Sequence, residues 1–222
     1  MILLNKILFK IFGVRLVSSQ CGEDLIIESF LPFKKDGFYV DIGAHHPVKY
    51  SNTFLFHNKG WRGINIEPNP SKKWLFNFLR NKDTNLNIGI GPEKSEMDFY
   101  VFDESTLSTF DKNSSEEYKK IGHVVTEIIK VPVLPLKEVL EKYAGSREID
   151  LMSVDTEGYD MQVLNSNDWK KFRPGFIILE TIEYSKDGKG KKMNDIYDKY
   201  MEEIGYAKIA DTNINTIYKK LR

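Results

Sequence analysis

The sequence predicts a single α/β fold: a mostly parallel sheet with helices on both faces, closed by an antiparallel C-terminal hairpin. Three observations predict it. Short apolar runs alternate with amphipathic ones along most of the chain, which is the pattern of successive βαβ units. The short runs are apolar at consecutive positions, as strands buried on both faces are. Two β-like runs, 206–211 and 215–220, end the chain with only Thr212 to Ile214 between them, the spacing of a hairpin.

In chain order, 23–31 reads as a helix and "GFYVDIG" (37–43) as a strand. Residues 51–60 read as a helix capped by Ser51 or Asn52 and stopped by Gly60. "RGINIEP" (62–68) is the second strand, 70–81 the second helix of this alternation, and "NLNIGIG" (85–91) the third strand. "EMDFYVF" (96–102) is expected to pair with that predecessor. Residues 103–122 are polar, with a short helix in their second half. Residues 123–136 alternate β-branched residues up to Pro132 and Pro135, which suits an edge strand or a strand end. Then come a helix (136–144), a strand ending in acid (148–155), a helix (159–169), another acid-ended strand (174–180), a loop (185–192) and a helix (193–205). Residues 1–35 form an N-terminal helical segment and 36–222 the α/β domain.

The 222 residues are 41% hydrophobic and 13% aromatic, enough for one domain with a substantial core. Lys plus Arg and Asp plus Glu number 32 each, so nothing points to nucleic acid, which needs a concentrated basic face. The lone Cys21 allows no internal disulfide and fits a reducing, cytoplasmic setting. No apolar run reaches the roughly 18 residues that span a bilayer. The opening "MILLNKILFKIFGVRL" places apolar residues at helical spacing around Lys6, Lys10 and Arg15, without the order of a signal peptide. It reads as an amphipathic helix packed on the domain or a partner, with peripheral membrane contact through residues 1–17 as the alternative.

Asp41, Glu67, Asp155 and Glu180 each close a predicted strand. In open α/β sheets ligands bind beyond those ends. Gathering four acids there is a poor choice for stability, since like charges repel; a ligand rich in hydroxyls, an amine or a positive charge explains them. The loop after the first strand, Asp41-Ile42-Gly43-Ala44-His45-His46-Pro47, lacks the G-x-G-x-x-G of a pyrophosphate cradle, and no P-loop is present. Glu67 closes the second strand, where an acid takes both hydroxyls of a ribose. A phosphate-free, cationic nucleoside fits, and S-adenosylmethionine is one.

"SQCGEDLII", "GFYVDIGAHHPVKYSNT", "GWRGINIEPNP", "NLNIGI", "LSTF" and "IDLMSVDTEGYDMQVL", in this order, resemble the FkbM-type methyltransferases from about Ser19 to Glu180. The resemblance implies a Rossmann-like class I sheet with a reversed closing strand. It also implies S-adenosylmethionine as cofactor and, as in many of the family, methylation of sugar or other secondary-metabolite hydroxyls, here read as polysaccharide modification. It places Asp41, Gly43 and Ala44 on the methionyl side, Glu67 on the ribose, and Pro68 and Gly89 by the adenine. Gln20, which opens the resembling region, and Asn52 join the cofactor-binding set; the rival reading of Glu23 and Asp24 is a helix cap. The His-His-Pro after Gly43 departs from the more glycine-rich loop of class I enzymes.

Methylating an alcohol needs alignment of oxygen and methyl, and a base for the departing proton. Asp155, His45 and Glu157 are the catalytic candidates. His46 is a weaker one, since either histidine also suits a loop or capping bond. Transfer without a metal is the leading expectation; Mg²⁺ on Asp155, Glu157 and Glu180 is the alternative. The segments 103–122 and 185–192 are either substrate-contacting loops or solvated ones. The acceptor is a small molecule or glycan. The rival functions are an NAD-type oxidoreductase, against which the missing glycines argue, and a non-catalytic nucleoside-binding domain. Oligomeric state is left open.

Overall fold

The structure, a computed structural model, describes residues 8–14, 17–184 and 190–221, with 183–184 and 190–192 by backbone alone. Its centre is a seven-stranded sheet. In spatial order the strands are β11 (Tyr206–Asp211), β12 (Asn215–Lys220), β8 (Phe176–Glu180), β7 (Leu151–Val154), β1 (Phe38–Ile42), β2 (Arg62–Ile66) and β3 (Thr84–Leu86). All neighbours pair in parallel except at β12, which runs antiparallel to β8 and to β11. Strands β1, β7 and β8 are buried along their whole length, which explains their unbroken apolar sequence. Chain direction across the sheet switches between β1 and β7, and such a switch opens a crevice at the carboxyl edge.

One face packs Val40, Ile42, Ile64, Ile66, Met152 and Val154 against helices α5 (Leu136–Tyr143), α6 (Asp160–Asn165) and α7 (Asn194–Glu203). The other packs Tyr39, Leu151 and Ile178 against Ile27 of α1 (Glu23–Phe30) and Phe56 of α2 (Phe54–Asn58). The remaining helices are α3 (Lys73–Leu79) and α4 (Lys112–Lys120).

Several expected elements differ. The third strand is two short ones, because after β3 the chain leaves the main sheet and Gly89–Ile90 (β4) joins a separate one. Strand β5 (Ser95–Phe102) pairs with β6 (Val125–Leu134), not with its predecessor. Strand β6 is central in that small sheet despite its proline, because β4 pairs with it only from Val133 onward and leaves one side open through Pro132. Helix α2 starts at Phe54, with neither Ser51 nor Asn52 capping it. Residues 190–192 form β10, antiparallel to β9 (Ile182–Tyr184), where a loop is expected; 185–189 lie outside the described residues. Of the N-terminal stretch, 8–12 are helical, while 1–7, 15 and 16 also lie outside them. Among the described residues no helix is long and apolar enough to cross a membrane.

Beneath the crevice lies Arg80, just past α3, fully buried. Its Nε donates to the Pro47 carbonyl (2.8 Å), Nη1 to the Tyr39 hydroxyl (2.7 Å) and Nη2 to Ser51 Oγ (3.0 Å). The Tyr39 hydroxyl in turn donates to Asp83, which also meets His57, and Thr53 Oγ1 donates to Asp41 Oδ2. One cation thus holds the loop after β1, the start of α2 and two buried acids. Arg80→Ala leaves those acids without it and is expected to cost about 3–5 kcal/mol; an unchanged urea midpoint would contradict this role.

Candidate functional site

The site starts with the end of β1. Gly43 has φ 75°, and a Cβ there would lie 1.7 Å from the Asp155 backbone oxygen. Any side chain would therefore force β1 and β7 apart. The Gly43 and Ala44 amides both donate to the Ile66 carbonyl, pinning this loop to the end of β2. His45, at φ 49°, turns its amide onto Glu67 Oε2 (2.8 Å), and the Asn69 amide takes Oε1 (2.8 Å). Asn87 Nδ2 donates to the carbonyls of Glu67 and Pro68. Two backbone donors thus fix the Glu67 carboxyl, while burial raises its pKa to about 7.

A cavity opens above these residues. Gln20, Asp41, Gly43, Ala44, His45, Asn52, Glu67, Pro68, Gly89, Asp155 and Glu157 all line it, so the structure brings these candidate residues together, while His46 and Glu180 lie off its wall. The His46 ring instead accepts from the amides of Val48 and Lys49 through Nδ1. Gln20 is held from behind: Asn215 Nδ2 donates to its Oε1 (3.5 Å) and to Glu23 Oε1 (2.8 Å), linking the N-terminal segment to the closing hairpin. Asp24 accepts from Ser18, Ser19 and Leu25, so it folds the preceding turn. Asn52 Nδ2 donates to Ser153 Oγ, leaving its buried Oδ1 without a hydrogen-bond partner among the described residues.

Sequence reasoning missed the apolar wall. Phe99 and Phe110 pack with ring centroids 4.8 Å apart, Tyr159 lies 6.1 Å beyond Phe110, and all three line the cavity. Phe99 belongs to the small sheet, whose partnership with the main one leaves no periodic trace. Ser105, Thr106 and Ser108 complete that wall, so the segment 103–122 does reach the site.

At the far end stand three acids. Ligand oxygens of Asp155, Glu157 and Glu180 lie within 4.8 Å of one another, the one such grouping among the described residues close enough to hold a metal ion. Crowding of this kind favours the protonated carboxyls. The Tyr118 hydroxyl donates to Glu157 Oε2 (2.8 Å), and the Asp155 and Glu180 carboxyls face each other. Burial first, then the neighbouring Asp160, lifts Asp155 to about 7; burial and Asp155 push Glu157 and Glu180 well up. Glu157 sits at φ 51°, a costly conformation for a residue with a Cβ. Its carbonyl is held by Thr109 Oγ1 (2.8 Å). Asp160, opening α6, accepts from the amide and hydroxyl of Thr156 and sets the turn. His45 moves the other way: burial, then Lys72, lowers it to about 4.

The family model of the methyltransferase FkbM domain matches residues 41–207, three quarters of the chain. The chain belongs to the FkbM methyltransferase family. It is an S-adenosylmethionine-dependent methyltransferase, and the strand order is the doubly wound one with a reversed closing strand. No curated protein matches it in sequence. Among solved structures it is similar to the 1,6-didemethyltoxoflavin-N1-methyltransferase of Burkholderia thailandensis, a structure with bound S-adenosylhomocysteine (8% identity, 90% of this chain and 77% of that one, TM-score 0.45). It is also similar to the METTL16 methyltransferase domain (10%, 99% and 78%, 0.47). A third likeness is the precorrin-6y C5,15-methyltransferase of Geobacter metallireducens GS-15 (12%, 89% and 87%, 0.41). Membership rests on the family match, not on these likenesses.

A carboxyl whose pKa is higher folded than unfolded opposes folding as pH rises between the two values. For Asp155 that window runs from the ordinary 3.8 to about 7. Asp155→Asn removes the opposition. Its thermal midpoint should exceed the wild type's by an amount that grows from pH 4 to pH 7 and then levels off; a constant or shrinking gap would contradict the burial of this charge.

Proposed function

We propose that the enzyme methylates a hydroxyl of a sugar or glycan, with Asp155 as the base. The observation that carries this reading is the convergence of Asp41, Glu67 and Asp155, from three adjacent strand ends, on one cavity. The residues suit S-adenosylmethionine. Each Glu67 oxygen keeps a lone pair beyond its one backbone donor, available to a ribose hydroxyl. Orphaned Asn52 Oδ1 suits an ammonium or hydroxyl donor. The Phe99–Phe110 wall beside Pro68 and Gly89 suits a planar base. Once bound, the cofactor supplies a methyl group already activated by its sulfonium.

This chain's own work is alignment and proton removal. With the cofactor bound, the acceptor hydroxyl would take the methyl group as its bond to sulfur breaks, leaving a neutral thioether, and the hydroxyl proton would pass to the Asp155 carboxylate. Of the three candidates Asp155 is the best suited. His45, lowered to about 4, is a weak base at neutral pH, and one Glu157 oxygen already holds the Tyr118 hydroxyl. The reading uses no metal: burial and mutual repulsion raise all three acids, and a proton can take the place of a cation among them.

Asp155→Asn should lower turnover by about 10²- to 10⁴-fold while S-adenosylhomocysteine still binds calorimetrically within a few-fold of wild type. Glu67→Ala should weaken that binding first. Equal turnover in the former, or equal affinity in the latter, removes the residue from its role. Treatment with EDTA should leave turnover unchanged; a loss restored by Mg²⁺ would place the ion on the three acids instead.

A further inference from the structure

A second cavity, of about 340 Å³, adjoins the first and shares Glu157 with it. It lies beyond the ends of β7 and β8, where Glu157 and Glu180 line it and hold their carboxyls within 4.8 Å of that of Asp155, which lines the first cavity. Its size is that of a small-molecule site. Each charged group on its described wall is acidic: Asp111, Glu117, Glu157, Asp160 and Glu180. Three of these have partners of their own, since Asp111 caps α4 through the Asn113 amide, Asp160 holds Thr156 and Glu157 accepts from the Tyr118 hydroxyl. Glu180 differs. It is only 7% exposed, yet among the described residues its carboxyl accepts no hydrogen bond from an N–H group or a hydroxyl and faces the carboxyls of Asp155 and Glu157. A buried acceptor on a cavity wall, short of donors, calls for a donor from the ligand. The rest of the wall includes Tyr118, Met161 and Met193, flat or apolar surfaces against which the C–H face of a pyranose packs, and polar Asn113 and Ser114.

We propose that this second cavity holds the methyl acceptor and that the acceptor is an amino sugar, its ammonium seated on Glu180 and Glu157 and a neighbouring hydroxyl turned toward Asp155. The proposal rests on the methyltransferase reading above and narrows its substrate class. An ammonium gives charge-assisted hydrogen bonds to both carboxylates. A phosphorylated sugar placed here would meet like charge on several sides. N-acetylation removes the positive charge and adds bulk at that position.

The test is equilibrium binding to the protein saturated with S-adenosylhomocysteine, so that no turnover is needed. Glucosamine, galactosamine and mannosamine are compared with their N-acetylated forms and with glucose 1-phosphate. At least one free amino sugar should bind ten-fold or more tightly than its N-acetylated form and than the phosphate. Glu180→Gln should abolish that preference, and the milder Glu117→Lys should reduce it several-fold. Both variants should keep S-adenosylhomocysteine affinity, which reports that they are folded. Equal or tighter binding of the N-acetylated or phosphorylated sugars, no binding by any amino sugar, or a preference that survives both substitutions overturns the proposal. Failure of S-adenosylhomocysteine to bind the wild type is a separate result and strikes the methyltransferase reading instead.

Discussion

Six acidic side chains, Asp41, Glu67, Asp155, Glu157, Asp160 and Glu180, are brought to one edge of a parallel sheet, and the site is organised around keeping them tolerable there. Each is relieved by a different device. Asp41 takes the Thr53 hydroxyl and feels the Arg80 charge. Glu67 takes two backbone amides, Asp160 takes Thr156, and Glu157 takes a tyrosine hydroxyl. Among the described residues the Asp155 and Glu180 carboxyls accept no hydrogen bond from an N–H group or a hydroxyl and face each other. The relief therefore thins out along the edge, from a buried cation at one end to two facing acids at the other. Groups left least satisfied in a buried site are the ones most available to a ligand or a proton.

That gradient joins fold to chemistry. In the proposed function the β2 side, where two amides hold Glu67, recognises the cofactor, and the β7–β8 side, where burial raises Asp155 to about 7, takes the proton. Gly43 lets the two sides meet. Without room for a Cβ, β1 and β7 come close enough for one crevice to reach Asp41 and Asp155 together. Phe99 of the small sheet β4-β6-β5, with Phe110 and Tyr159 packed in series beside it, then supplies the aromatic wall.

Much of this was legible in the chain. Acids at the ends of apolar runs marked the crevice, because strand direction in a parallel sheet sends all those ends to one edge. The terminal hairpin followed from element spacing, and its reversed strand from the family resemblance. The rest was not legible, for physical reasons. Arg80 reads as an ordinary helix-end cation, since nothing local reveals that it is swallowed whole. Tyr118 lies on a polar helix whose docking is decided by the small sheet. Ser51 and Asn52 look like caps because their residue types suit capping, yet Arg80 and Ser153 claim them instead. Strand β5 skips its sequence neighbour for β6, a pairing set by tertiary packing and not by local pattern.

The central claim is that these strand ends form one cofactor site, and the most direct measurement is a crystal structure grown with S-adenosylhomocysteine. The account predicts the ribose hydroxyls within hydrogen-bond distance of the Glu67 carboxyl, the base against Phe110 and Gly89, and the sulfur facing Asp155. Density for the ligand on any other face, or in the crevice with Glu67 untouched, would contradict it.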